Sequence, residues 1–355
     1  MKRFFRQMAD LLQNQESFVV ATIFDKTGSA PRTAGTKMVI RQNGSIVGTI
    51  GGGRLEGEAI RLAGEVLLSG QSVIQSFNLT GEDVAGMDMI CGGQGEILLD
   101  FIDAGDESNH EIYQKAAEIL GQRGKAWLIT ALGSNNRQSD CCPIRQQCLV
   151  KQDGTMIGRF ESHPEFLAKL IAGPAKISIH AEVFDNQRFL VEPIRPAGTV
   201  YIFGAGHVSQ KIAPLCETVG FRTVVLDDRS EFANRERFPE AAEIILLESF
   251  QSLPELAVDE DSYLVIVTRG HLHDKTILEW SLRTPAGYIG MIGSRRKRDK
   301  VYAALAEQGY GQRDFDRVYS PIGTNIGAET PEELAVSIVG ELIKVRAERE
   351  NEQRQ

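Results

Sequence analysis

The spacing with the clearest chemical content is Gly204-x-Gly206-x-x-Ser209, set between an apolar run, TVYIFG, and a helical pattern through LCETVG. Asp227 and Asp228 close the next apolar run, TVVLDD. The first glycine permits a tight turn, and the second lets a phosphate approach backbone N–H groups at the helix start. The third position needs a small side chain for close helix–strand packing, and Ser209 stands there in place of the usual Gly or Ala. A carboxylate about 20 residues downstream is placed to accept from a ribose hydroxyl. His207, inside the loop, points toward the same crevice. The pattern predicts a Rossmann-type nucleotide fold, and a degenerate Rossmann domain kept as scaffold is the competing reading.

Two further segments should face that crevice, because ligands of doubly wound sheets sit at the carboxyl ends of the strands. Thr268-Arg269-Gly270-His271-Leu272-His273-Asp274 follows the strand pattern YLVIVT. His271, His273 and Asp274 are candidates for acid–base work or for metal ligation, although a third metal ligand is not evident. The blander reading makes Asp274 the N-cap of the following helix and one histidine solvated. Gly293-Ser294-Arg295-Arg296-Lys297-Arg298 opens a basic helix after YIGMI. Such a run is often a solvated face, but Ser294 and Arg295 begin a helix at a strand end and so could meet an anion.

The first half carries its own glycine-dense segments. Thr27-Gly28-Ser29-Ala30-Pro31-Arg32 and Gly48-Thr49-Ile50-Gly51-Gly52-Gly53-Arg54-Leu55-Glu56 are too rich in glycine for ordinary strand ends. Successive N–H groups along Gly51, Gly52 and Gly53 could form an anion nest at the start of a helix. Gly28, Ser29 and Arg32 offer backbone donors and a counter-charge. Cys91-Gly92-Gly93 places a thiol between small residues, where it could act as a thiolate nucleophile or a soft metal ligand, or simply be a buried turn thiol. Cys141, Cys142 and Cys148 lack paired zinc spacing, and Cys216 falls on the apolar side of a helix.

The elements that must position these residues divide in two. Strand patterns at residues 17–24, 95–102, 125–132, 178–184 and 188–194 mix with hairpin signals at Asn43-Gly44 and Asp153-Gly154 and with helical stretches near 111–120 and 164–172. Asn43-Gly44 is expected to hold positive φ at both turn centres. The stretch VEPIRPAG, residues 191–198, reads as a domain boundary. After it, short apolar strands alternate strictly with helices, as in a buried parallel sheet. Thr330-Pro331-Glu332-Glu333 is a capping-box start for the last helix, which is expected to fray beyond Lys344. No internal repeat is visible. The expected fold class is therefore α/β, with a mixed α+β domain over 1–194 and a Rossmann-like doubly wound parallel sheet over 195–355.

Composition narrows the function classes. The 355 residues are 42% hydrophobic and 25% charged, which suits a globular core. Lys plus Arg number 39 against 48 Asp plus Glu, a formal charge of −9, so nucleic acid is a poor partner. No apolar run approaches the roughly 20 residues of a membrane span. Five scattered cysteines and a charged N-terminus suggest a reducing, cytoplasmic setting.

Seven blocks, taken together and in this order, resemble the XdhC/CoxI family of xanthine dehydrogenase accessory proteins. They are GSAPRTAGTKMVIRQNGSIVGTIGGGRLEGEAI, MICGGQGEILLDFI, YIFGAGHVSQKIA, VVLDDRSEFANRERFP, VTRGHLHD, IGMIGSRRKRDKV and PIGTNIGAETPEELAVSIVGELI. The resemblance runs from about residue 10 to 345 and is thin over roughly 103–175. It implies an XdhC/CoxI-type N-terminal domain followed by a Rossmann domain, and a chaperone role rather than substrate turnover. The family's members bind molybdenum cofactor, in its molybdopterin or dinucleotide form, support its sulfuration and deliver it to a molybdenum hydroxylase. A cysteine desulfurase is the implied sulfur donor. Cys91 falls in the family's Cys-Gly-Gly block, as a molybdenum contact or sulfur relay; some members carry two adjacent cysteines there, where this chain has Ile90-Cys91. Arg32, Arg54, Arg269 and Arg295 are the expected counter-charges, and a homodimer is the expected assembly. Two other readings stay open: an NAD(P)-dependent oxidoreductase using His271 or His273, and a nucleotide-responsive interaction protein.

Overall fold

The structure, a computed structural model, describes residues 1–28, 34–78, 93–122, 124–134, 146–160, 164–172, 179–184, 186–269 and 271–352. It divides into two compact units, Met1–Arg195 and a second beginning at Pro196.

In the first unit α1 (Lys2–Gln13) precedes β1 (Phe18–Gly28), β2 (Lys37–Arg41) and β3 (Ile46–Gly48). Then come α2 (Gly53–Ser69), β4 (Val73–Asn78) and β5 (Gly93–Ile102), and the antiparallel sheet has the order β3-β2-β1-β5-β4. The succession then recurs. It runs α3 (Glu107–Gly121), β6 (Ala126–Ser134), β7 (Gln147–Lys151), β8 (Met156–Arg159), α4 (Pro164–Ala172), β9 (His180–Phe184) and β10 (Gln187–Ile194), with sheet order β8-β7-β6-β10-β9. The unit is a duplicated α-β-β-β-α-β-β module, which corrects the expectation of no internal repeat.

The equivalence reaches single residues. Both hairpin turns are three-residue loops: Gly44 N–H donates to Arg41 O at 2.9 Å, and Gly154 N–H to Lys151 O at 3.0 Å. Only the glycine of each loop has positive φ, 78° at Gly44 and 83° at Gly154. The expected two-residue turn at Asn43-Gly44 is therefore replaced by a longer loop with one left-handed residue. Asn43 and Asp153 each accept from the amide two residues on, at 2.9 Å. Gly48 and Gly158 also correspond. A Cβ there would lie 2.9 Å from Lys37 O and 2.7 Å from Gln147 O respectively, so the first strand backbone of each hairpin excludes a side chain.

Alternate side chains of the strands serve two layers, as the period of two requires. Phe18 and Val20 join Phe5, Met8 and Leu12 of α1 and Ile112, Tyr113 and Ala116 of α3 in a core that also takes Leu128 and Leu149 of the second sheet. Val19, Ala21 and Ile23 face the other way, onto Leu55, Ala59, Ala63 and Val66 of α2. Phe166 of α4 covers Trp127, Ile129 and Val191 in the matching place on the second sheet.

A cavity lies where the two sheets meet, and its polar walls come in equivalent pairs: Thr22 with Thr130, Lys37 with Gln147, Asp100 with Glu192. The Lys37 ammonium donates to Thr22 Oγ1 at 2.9 Å and pairs with Glu192 of the other sheet at 2.9 Å. Gln147 Nε2 donates to Thr130 Oγ1 at 2.7 Å. Arg188 of β10 pairs with Glu96 of β5 at 2.6 Å, a second ionic clasp between the repeats.

The second unit is a parallel sheet in the order β13-β12-β11-β14-β15-β16. Its strands are β11 (Thr199–Phe203), β12 (Arg222–Asp227), β13 (Glu243–Leu246), β14 (Ser262–Ile266), β15 (Tyr288–Met291) and β16 (Val318–Tyr319). The helices are α5 (His207–Thr218), α6 (His271–Leu282), α7 (Arg295–Ala306), α8 (Gln312–Phe315) and α9 (Pro331–Glu352). The α9 capping box forms as the sequence predicts: Thr330 Oγ1 accepts from Glu333 N–H at 3.2 Å, and Glu333 accepts from Thr330 N–H at 3.0 Å. The helix does not fray at Lys344. Val345 is buried, Arg346 donates to Val219 O at 3.2 Å, and Arg349 donates to Glu260 O, so the last turns are tied to the unit. No described helix is long and apolar enough to cross a membrane.

Candidate functional site

In the first unit, β1 ends where β5 begins. Gly28 and Gly93 are direct cross-strand partners, and β4 ends beside them, with Asn78 opposite Gln94. Antiparallel pairing of β2 with β1 and β3 sends β3 toward the same end. Three segments selected from the sequence thus leave the first sheet toward one end: the one continuing from Gly28, the Thr49–Gly53 turn, and the one that reaches β5 through Cys91. Ser29, Arg32 and Cys91 themselves lie outside the described residues, as do Cys141 and Cys142. In the second repeat the β9–β10 connection is only residues 185–186, so no counterpart of the Cys91 segment exists there.

The glycine nest is built, and the chain supplies its anion. Gly51, Gly52 and Gly53 hold φ of 131°, 74° and 63°, a backbone that glycine adopts without strain. Glu56 Oε2 accepts from the amides of Ile50 and Gly52, both at 3.1 Å, and from the Thr49 hydroxyl. The Thr49 hydroxyl, against the raising effect of burial, and then the amides of Gly52, Ile50 and Gly51 hold the Glu56 carboxyl below the ordinary glutamate range. Glu56 closes the glycine-rich segment in the sequence but is not among the site residues expected from it. Its signal was available, as an acidic residue in the first turn after a glycine run.

The described thiols are poor nucleophiles. Burial pushes Cys148 up to about 12 and raises Cys216 further, so neither supplies a thiolate. Among the described residues, no group of three or more His, Cys, Asp or Glu is arranged to hold a metal ion.

In the second unit, Phe203, Leu226 and Ile266 are level across β12, β11 and β14. Gly204, Asp227 and Val267 therefore emerge side by side at the carboxyl edge. Gly204 has φ 105°, and a Cβ on it would lie 2.5 Å from Val267 O, so the loop after β14 presses directly on the glycine turn. Ser209 is fully buried and donates to Gly204 O at 2.5 Å. The hydroxyl thus braces the turn, which is the physical reason for serine at the third fingerprint position.

Asp227 is 1% exposed, and its own chain engages it. Ala205 N–H donates to it at 2.7 Å, and Arg229 donates through Nε at 2.8 Å and Nη2 at 2.9 Å. Burial pushes the Asp227 carboxyl up, but Arg229 and the Ala205 amide outweigh it and hold the group below its ordinary range. Asp228 pairs instead with Arg269, at 3.1 Å. Gly206 caps α5 without a side-chain hydrogen bond, and His207 is exposed at the first helical position. An α5 N-terminus without a side-chain cap, beside a glycine turn, suits an anion.

The remaining candidates divide. Asp274 lies in the first turn of α6 rather than at its cap, because the helix begins at His271. Wholly buried, it accepts from the Thr268 hydroxyl at 2.6 Å and forms a close ion pair with Lys297 of α7. Lys297 therefore does not belong to a solvated basic face, whereas Arg295 and Arg296 are exposed. The Ser294 hydroxyl caps α7 by accepting from Lys297 N–H at 3.3 Å. His273 is half-buried against the Phe250 ring, 5.0 Å between centroids, a packing role. The His271 side chain lies outside the described residues. Arg54 is exposed at the start of α2.

Residues 11–78 match the XdhC and CoxI family, and residues 200–342 match the XdhC Rossmann domain, together more than half of the chain. The chain is 28% identical over 344 residues to a probable xanthine dehydrogenase subunit of Bacillus subtilis (strain 168), covering 96% of this chain and 97% of that protein. It is 26% identical to the uncharacterized protein YqeB of Escherichia coli (strain K12), spanning 96% of this chain and 46% of YqeB. It is 20% identical to the molybdenum cofactor insertion chaperone PaoD of the same organism, over 98% of this chain and 89% of PaoD. A solved structure of a xanthine dehydrogenase from Bacillus halodurans shares the fold, with a TM-score of 0.78 at 24% identity over 98% of this chain and 96% of that one. The chain belongs to the XdhC and CoxI family, and its second unit is an XdhC Rossmann domain.

Proposed function

We propose that this chain is an accessory protein that binds molybdenum cofactor, supports its sulfuration and delivers it to a molybdenum hydroxylase such as xanthine dehydrogenase. It acts in the cytoplasm, as a homodimer, with a cysteine desulfurase as sulfur source. The observation that carries this reading is the departure of three selected segments toward one end of the first sheet, with the Cys91 segment present in one repeat only. A chaperone needs a thiol at an edge from which cargo can leave. The names of the Bacillus subtilis relative and of PaoD support the same reading. Anion binding at the Gly204–Gly206 turn serves a regulatory nucleotide.

The test is a client hydroxylase produced in cells with the wild-type chain, with Cys91→Ser, or with neither. The purified client is assayed for molybdenum and for cyanide-labile sulfur. The wild-type chain should raise both, and Cys91→Ser should lose most of the sulfur. Equal sulfur and molybdenum with Cys91→Ser would remove the thiol from the account. A client loaded equally well without the chain would remove the accessory role.

A further inference from the structure

We propose that the Asp228–Arg269 ion pair is a strap across the ligand crevice of the Rossmann unit, opened by a phosphate ester that takes Arg269 as counter-charge and leaves Asp228 to accept a hydroxyl of the same ligand. The inference rests on the reading of the Gly204–Gly206 turn as an anion site and adds how that site is guarded.

The topology places the strap. β11 lies between β12 and β14, and all three strands end level. Neighbouring strands are about 4.8 Å apart, so residues just past β12 and β14 stand about 10 Å apart with the end of β11 between them. Asp228 is the first residue beyond β12, and Arg269 the third beyond β14. Their contacts, Arg269 Nη2 to Asp228 Oδ2 at 3.1 Å and to Oδ1 at 3.3 Å, therefore span the end of β11, where the glycine turn leads into α5. Both flanking segments also touch the turn itself, Asp227 through the Ala205 amide and Val267 through Gly204. This is also where a doubly wound sheet reverses its strand order and takes its ligands.

The chemistry fits a strap rather than a rivet. The Arg269 side chain is 53% exposed and Asp228 15% exposed, so the pair is worth little and parts readily. The neighbouring pair differs: Asp227 and Arg229 are 1% and 19% exposed and share two short hydrogen bonds, so they stay closed. Arg229 Nε lies 3.9 Å from Asp228 Oδ1, a second cation beside the released carboxylate. With the strap shut, an anion approaching α5 meets the Asp228 carboxylate and a guanidinium already satisfied. With it open, one cation and one acceptor become available.

Calorimetric titration of the full chain with inorganic pyrophosphate, and separately with ADP, at fixed ionic strength tests this. Asp228→Asn releases Arg269 and removes a repelling charge, so it should tighten pyrophosphate by about fivefold. Arg269→Ala should weaken it about tenfold. ADP should bind the wild-type chain more tightly than pyrophosphate, and that advantage should narrow in Asp228→Asn, whose amide oxygen is a weaker acceptor than a carboxylate. Pyrophosphate bound by the wild type but no tighter by Asp228→Asn, or equally by Arg269→Ala, would overturn the strap while leaving the anion site standing. No ADP advantage would overturn the hydroxyl assignment. Absence of binding by all three proteins would overturn the anion site, and the strap with it.

Discussion

Glu192→Ala should destabilise the first unit by about 3 kcal/mol or more, because it leaves the Lys37 ammonium between two sheets without its anion. The side chains are 14% and 7% exposed, so water replaces little of the lost interaction. Thr22 remains as an acceptor, but a hydroxyl does not neutralise an ammonium. The double variant Lys37→Met/Glu192→Leu should recover most of the loss, since replacing both members of a buried pair with apolar groups costs far less than removing one. The chain has two tryptophans, Trp127 in the first unit and Trp280 in the second, which allows each unit to be followed separately. In a Trp280→Phe background, urea unfolding monitored by Trp127 fluorescence reads the first unit. A loss below about 1 kcal/mol for the single variant, as for an exposed pair, would show that the cavity is open to water.

Asp274→Ala should have an effect of similar size on the second unit. It removes a fully buried carboxylate that joins the Thr268 hydroxyl, the first turn of α6 and Lys297 of α7. Lys297, 13% exposed, is then left without its buried anion, at an expected cost of about 3 kcal/mol. Asp274→Asn keeps an acceptor for Thr268 and should lose less than the alanine variant. With Trp127→Phe in place, Trp280 at the far end of α6 reports the transition. Faster amide exchange should concentrate in the first turns of α6 and α7. Unchanged exchange in both turns would mean that the pair does not hold the two helices together.

The sequence made the second unit legible because its cues are local. A glycine turn between a strand and a helix, a carboxylate at the next strand end and a capping box are each read within a few residues. The first unit was harder. Its two repeats preserve backbone demands and side-chain character, as at Gly48 and Gly158 or Thr22 and Thr130, but not residue identity, as at Phe5 and Tyr113 or Lys37 and Gln147. Occupancy was harder still. The sequence predicts a nest at Gly51–Gly53, yet folding delivers Glu56 into it. Asp227 and Asp228 look alike in sequence, yet Ala205 and Arg229 engage one while Arg269, 41 residues on, engages the other. Lys297 sits in a row of four cations and is distinguished only by meeting Asp274 of another helix.

Carriage of molybdenum cofactor is measured most directly on the protein as cells make it. The chain is purified anaerobically from molybdenum-replete cells, and the same fractions are analysed for molybdenum and for oxidised-pterin fluorescence. Pterin and molybdenum in stoichiometric amounts are the predicted result. Absence of both, persisting after incubation with cofactor released from a molybdenum enzyme, would show that the chain does not carry it.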